Sequence, residues 1–202
     1  MAGAILCSNT SVTPNTQIMA GLADRTRALG THWWNPPHLI ALVEVIRTAD
    51  TSEAAMSVVM ELLAGAGKTP VRVEKDVPGF IGNRLQHALW REAISLVERG
   101  ICDAAAVDAV VKASFGRRLA VLGSLENADL VGKDLTLAMH DTVLADIETS
   151  PAPSPLMRRM VAQRRLGMIS GAGVQTWSPD QAQALREKVV AHLLALERIL
   201  GA

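Results

Sequence analysis

Apolar residues fall in short blocks over the first third of the chain and at helical spacing over the rest. "GAILCSNT" is an apolar run closing in polar residues, and "ALGTHWW", "LVEVIRT" and "PVRVEKD" are three more such runs. Each is short, bounded by turn residues and mostly branched or aromatic at its centre, which predicts four strands. Between the first two, Thr13 predicts an N-cap with Pro14 at the first helical position, opening a helix through "TPNTQIMAGLAD". Between the last two, "TSEAAMSVVMELLAGAG" offers Thr51 or Ser52 as cap, apolar positions three and four apart, and glycines at its end. Strands alternating with helices predict an α/β unit whose pairing is at least partly parallel.

After "DVPGF" the strand signal stops. "IGNRLQHALWREAISLVERG" predicts a long helix ending at Gly100, and "DAAAVDAVVKASFG" a second with Asp103 as its cap. "SLENADLVGKDLTLAMHDTVLADIE" predicts a third helical region, broken near Gly132. Beyond the Pro/Ser-rich "TSPAPSPL" come a short basic helix, "MRRMVAQRRLG", and a final one in "SPDQAQALREKVVAHLLALERIL". In that last helix Ala182, Leu185, Val189, Leu193, Leu196 and Leu200 make one apolar stripe that must cover something. The chain therefore divides near Val77–Gly79, into an α/β domain at 1–76 and a helical domain at 77–202.

Composition narrows the function classes more than it names one. With 49% hydrophobic and 20% charged residues the 202-residue chain can bury a core. Twenty basic against twenty acidic residues leave no formal charge to attract nucleic acid or an anionic membrane. Cys7 and Cys102 stand far apart without metal-ligand spacing, so they read as reduced thiols and no metal site is expected. The sequence holds no leader pattern and no apolar run of about 18 residues, and a cytoplasmic protein outside the membrane is the expectation. "GAGK" at 65–68 lacks the length and the Ser/Thr of a phosphate loop and reads as a helix stop.

Four residues could carry chemistry. His32 ends the second strand, and Glu44 is a lone acid inside the third, across a short connection that can return it beside the imidazole. Ser11 follows the first strand at its carboxyl end, where open α/β sheets bind ligands. Asn83 lies in the first turn of the long helix. A neutral histidine can take a proton from an alcohol as hydride leaves its carbon, and a carboxylate on its other nitrogen fixes the tautomer. Serine and asparagine can hold the reacting oxygen. Each residue also has an ordinary structural use, Ser11 and Asn83 as turn and cap residues.

Taken together, "SNTS" (8–11), "HWWNPP" (32–37), "LVEVI" (42–46), "GKTPVRVEKDVPGFIGNR" (67–84), "EAISLVERG" (92–100) and "PSPLMRRMVAQRRLGMISGAG" (153–173) resemble the L-3-hydroxyacyl-CoA dehydrogenases, including their lambda-crystallin/L-gulonate dehydrogenase branch. The runs keep the family's order through nearly the whole chain. The resemblance implies part of a Rossmann-type NAD-binding domain, its C-terminal half, then an all-helical domain of the 6-phosphogluconate-dehydrogenase kind. It implies oxidation of a 3-hydroxyacyl-CoA, or a small 3-hydroxy acid, with NAD, in fatty acid metabolism, by a homodimer. Residue by residue, the catalytic histidine falls on His32, its orienting glutamate on Glu44, and the substrate-oxygen contacts on Ser11 and Asn83. Cofactor-binding residues are left unassigned, because no G-x-G-x-x-G occurs in the 202 residues.

That departure fits either a fragment of a longer enzyme or a natural short form, and weak or absent NAD binding is expected. The strand edge at "AILCS" is expected to need a cover, with self-pairing favoured. Two other readings stand beside the dehydrogenase. One is a cofactor-independent enzyme using the same His–Glu pair on a β-keto or β-hydroxy compound. The other is a non-enzymatic dimer module.

Overall fold

Four strands form one sheet in chain order: β1 (Leu6–Ser8), β2 (Ala28–Trp33), β3 (Leu42–Ile46) and β4 (Thr69–Val73). The structure is a computed structural model and describes residues 3–200. β1 pairs with β2 in parallel, β2 with β3 antiparallel, and β3 with β4 in parallel. The expected mixture of directions is present, with its one reversal at the centre. Helix α1 (Asn15–Ile18) lies in the first parallel crossover and α2 (Glu53–Gly65) in the second.

The central strands are buried at almost every position rather than at alternate ones, as happens when both faces of a sheet are covered. Ala55, Met56, Val59 and Leu63 line one face of α2 and pack on Leu29, Val43 and Val45. Ser52 caps α2, its hydroxyl accepting from the Ala55 amide at 3.2 Å. Thr51 is spent elsewhere: its hydroxyl donates to the Ala28 carbonyl at 2.6 Å and ties the helix start to β2. β1 is an outer strand, with Leu6 and Cys7 exposed.

The start of α1 differs from the sequence expectation. Thr13 does not cap it; the helix begins at Asn15 with Pro14 at the N-cap and no side-chain cap from within the segment. Asp76, sixty residues on, supplies the acceptors: its carboxylate takes the Asn15 amide at 3.0 Å and the Thr16 amide at 2.6 Å. A carboxylate satisfies two orphan donors where a hydroxyl would satisfy one, and this partner is invisible to local pattern.

Seven more helical segments follow: α3 (Gly82–Glu98), α4 (Ala104–Ala113), a 3-10 turn at Phe115–Arg117, α5 (Ser124–Val131), α6 (Lys133–Val143), α7 (Pro155–Ala162) and α8 (Pro179–Leu200). Asp103 caps α4 through the Ala106 amide at 2.7 Å, and the α5–α6 break falls at Gly132, whose φ of 103° suits glycine. α7 begins at Pro155, two residues ahead of the expected basic helix, with Ser154 as its cap, and Glu98 accepts from both the Ser154 hydroxyl and the Leu156 amide.

By compactness the chain falls into two units, Met1–His87 with Gln183–Ala202, and Ala88–Ala182. The pattern change at Val77–Gly79 comes eight to ten residues before His87, where the first stretch of that unit stops, because the start of α3 stays with the sheet; residues 183–202 also fall in that unit. In the second unit Met160 and Ala182 are the buried apolar residues among those described, while Leu125, Leu130 and Ile169 are 80%, 74% and 88% exposed. No helix among the described residues is long and apolar enough to cross a membrane.

Candidate active site

The antiparallel pairing of β2 and β3 sets His32 directly opposite Glu44. Both side chains are buried, and His32 Nδ1 lies 2.7 Å from Glu44 Oε2. Two residues on from His32, just past the end of β2, the Trp34 indole N–H donates to that oxygen at 3.4 Å. The other oxygen, Oε1, accepts the backbone amides of Ile81 at 2.9 Å and Gly82 at 3.0 Å. Four donors therefore converge on one buried carboxylate.

The turn "DVPGF" makes that possible. Gly79 and then Phe80 take positive φ values of 76° and 51°, and successive amides after them point to one place. Such an arrangement at a helix start is an anion cradle, and here the anion is Glu44 itself. Phe80, left-handed despite its bulk, is held by burial against Ile46 and Val73, and its ring sits 5.6 Å from that of His32. Burial pushes the Glu44 carboxyl up, but the hydrogen bonds from His32, Gly82 and Ile81 outweigh it and hold the group below the ordinary glutamate value.

An ionised Glu44 dictates the tautomer of its partner. The imidazole proton resides on Nδ1, facing the carboxylate, and leaves a lone pair on Nε2 for a reacting proton. The geometry can accept a proton at Nε2 and stabilise the imidazolium without Glu44 becoming protonated.

Ser11 and Asn83 form a second pair. Asn83 Nδ2 donates to the Ser11 carbonyl at 2.7 Å, and the Gly79 amide donates to the Val12 carbonyl at 3.2 Å. The loop after β1 is thereby stitched to the segment before α3. Because Gly82 holds Glu44 and the next residue, Asn83, holds Ser11, the two pairs are adjacent. One Asn83 donor is spent on the loop, leaving its second N–H and its oxygen; the Ser11 residue is exposed. Sequence reasoning missed Trp34, Phe80, Ile81, Gly82 and Asp76. Strand alternation from His32 carries the signal for Trp34, and the Pro-Gly-Phe turn carries it for the two amides.

Two family models match the chain. Residues 1–77 match the 3-hydroxyacyl-CoA dehydrogenase NAD binding domain, and residues 79–177 the 3-hydroxyacyl-CoA dehydrogenase C-terminal domain. The chain belongs to the 3-hydroxyacyl-CoA dehydrogenase family. Among relatives in the family's wider circle, it is 35% identical to the 5-formyl-3-hydroxy-2-methylpyridine 4-carboxylate 5-dehydrogenase of Mesorhizobium japonicum, over 97% of this chain and 63% of that protein. A crystal structure of an NAD+-dependent enzyme of that kind superposes with a TM-score of 0.93 at 35% identity, covering 98% of this chain and 64% of that one. The 3-hydroxyacyl-CoA dehydrogenase of Archaeoglobus fulgidus superposes with a TM-score of 0.64 at 30% identity, over 98% of this chain and 68% of its own. The chain thus spans less than two thirds of the length of the first of these relatives.

The family's NAD can be tested against the residues present. A dinucleotide fold seats the pyrophosphate on free amides at a helix start. Residues 1–77 match the family's NAD binding domain but hold no G-x-G-x-x-G turn. In this chain the four-residue helix after β1 has its first amides taken by the Asp76 carboxylate. Those amides are therefore spent within the chain and offer no seat for a pyrophosphate. Among the described residues no group of three or more His, Cys, Asp or Glu could hold a metal.

Proposed function

We propose that this chain carries the proton-handling site of an NAD-dependent dehydrogenase acting on a 3-hydroxyacyl-CoA, giving the 3-oxoacyl-CoA. His32 Nε2 takes the proton of the 3-hydroxyl group; Glu44 orients the ring and stabilises the imidazolium. The Ser11 hydroxyl and the uncommitted N–H of Asn83 hold the reacting oxygen. In the family's reaction NAD accepts the hydride. The single observation that carries this reading is the buried 2.7 Å His32–Glu44 pair with every carboxylate site filled. Ionisation is then fixed, and the imidazole is left as the proton acceptor.

A second substrate reading rests on the TM-score of 0.93 to the pyridine-carboxylate enzyme at 98% cover of this chain. It replaces the acyl-CoA by a small ring-bearing carboxylic acid, with the same roles for the same residues. The two are separated by supplying NADH with acetoacetyl-CoA or with a pyridine aldehyde carboxylate and following NADH consumption. Turnover on the thioester supports the first and turnover on the ring acid the second; no turnover on either at saturating NADH overturns both. For the 202-residue chain by itself NADH affinity is expected to be weak, and a micromolar Kd by calorimetry would overturn that expectation.

A further inference from the structure

We propose that Trp34 is a positioning residue of the His32–Glu44 pair: its indole N–H holds the carboxylate oxygen that His32 also uses, and so sets how strongly the imidazole takes a proton. The inference rests on His32 as the base of the proposed reaction. Glu44 Oε2 accepts from His32 Nδ1 at 2.7 Å and from Trp34 Nε1 at 3.4 Å, so two donors share one oxygen. The indole ring also lies 5.5 Å from the imidazole, tilted by 55°. Its seat is made by Gly82: a Cβ there would fall 2.4 Å from Trp34 Cζ2. The same glycine donates its amide to the other carboxylate oxygen at 3.0 Å. One residue without a side chain thus admits the indole and completes the cradle.

The consequence follows from how a carboxylate divides its charge. Every donor on Oε2 other than His32 draws electron density away from the His32 bond. With the indole in place the carboxylate has less density left for the His32 bond and stabilises imidazolium less. The groups that face His32 make this a clean system. Glu44 from β3 is the charged side chain within hydrogen-bond reach of it among the described residues. The segment before α3 contributes the Phe80 ring beside it, and the amides of Ile81 and Gly82 on Glu44.

Proton NMR of the whole chain tests the idea without needing turnover, so its failure is separable from failure of the dehydrogenase reading. In the unmutated chain the Trp34 indole N–H resonance, assigned by its loss in Trp34→Phe, is expected to move over the same pH interval as the His32 Cε1–H resonance. In Trp34→Phe, which keeps a ring in the seat, the His32 curve is expected to move to higher pH by roughly 0.3–1 unit. A ring that only fills space would leave the His32 curve in Trp34→Phe where it stands in the unmutated chain. An indole resonance flat across the His32 transition overturns the proposal, as does a His32 curve unmoved in a folded Trp34→Phe. Should that variant fail to fold, the unmutated chain decides through its indole titration, with assignment by 15N-labelled Trp and the Glu44→Gln spectrum.

Discussion

Ala28 to His32 in β2 and Val43 to Ile46 in β3 are all buried, whereas α5 and α6 of the second unit bury no residue at all. Yet both regions are rich in leucine and valine. In the sheet unit the apolar residues face α2 and one another, and polar ones admitted among them include the hydrogen-bonded pairs His32–Glu44 and Thr48–Thr51. In the helical unit Leu125, Leu130, Leu135 and Leu137 are all exposed. The first region is closed by its own chain. The second leaves its leucines uncovered, and we propose that a second copy of the chain covers them.

The sharpest break between the regions is chemical. If the site lies wholly in the sheet unit, His32→Ala is expected to lower turnover by on the order of a hundredfold or more. Glu44→Gln is expected to fall by a similar order while near-UV circular dichroism stays native. Wild-type turnover in either variant would remove that residue from the mechanism.

Stability offers the next largest contrast. Met56, fully buried in the α2–sheet core, should cost about 2–5 kcal/mol when changed to Ala. Leu125→Ala, at 80% exposure, should stay within about 0.5 kcal/mol for the unfolding of a single chain. Self-association should respond the other way. Sedimentation is expected to give twice the 21.5 kDa chain mass, with Leu125→Glu weakening the pair and Met56→Ala leaving the interface residues in place. A single-chain mass at micromolar concentration would sink the dimer.

These contrasts were unevenly legible in the sequence. The four strands and the helices showed in the patterning, because period and capping are local: Ser52, Asp103 and Gly132 act within a few residues of where they stand. His32 and Glu44 were legible as candidates, and the β2–β3 register is what sets them face to face. Asp76 was not legible, since its partners at Asn15 and Thr16 lie sixty residues away. Nor was the second donor role of Trp34, which needs the space left by Gly82 to be known. What the apolar stripe of the last helix covers was not legible either, because amphipathic spacing says that a face is covered and not by what.

The smallest expected effect concerns acid stability, and it too separates the regions, for carboxyls held low — Asp24, Glu44 and Glu53 — lie in the sheet unit. Glu44 is lowered in the folded chain by its hydrogen bonds, against the upward push of burial, from an ordinary value of 4.5. Between the folded value and 4.5 the unfolded chain therefore binds more protons, so stability rises with pH across that window. The contribution is fully present above it and is lost as pH falls through the folded value. Glu53 behaves alike through its hydrogen bond to Arg72, but it is exposed. Salt separates the two, because screening at about 1 M reaches down to about 3 Å between exposed charges and hardly touches a buried pair. Urea unfolding of the native chain and of Glu44→Gln at high salt, followed from neutral to acid pH, should give a steeper acid loss in the native chain. Parallel curves would mean that Glu44 enters the folded state at its ordinary value, and the four-donor cradle would then not be holding an anion.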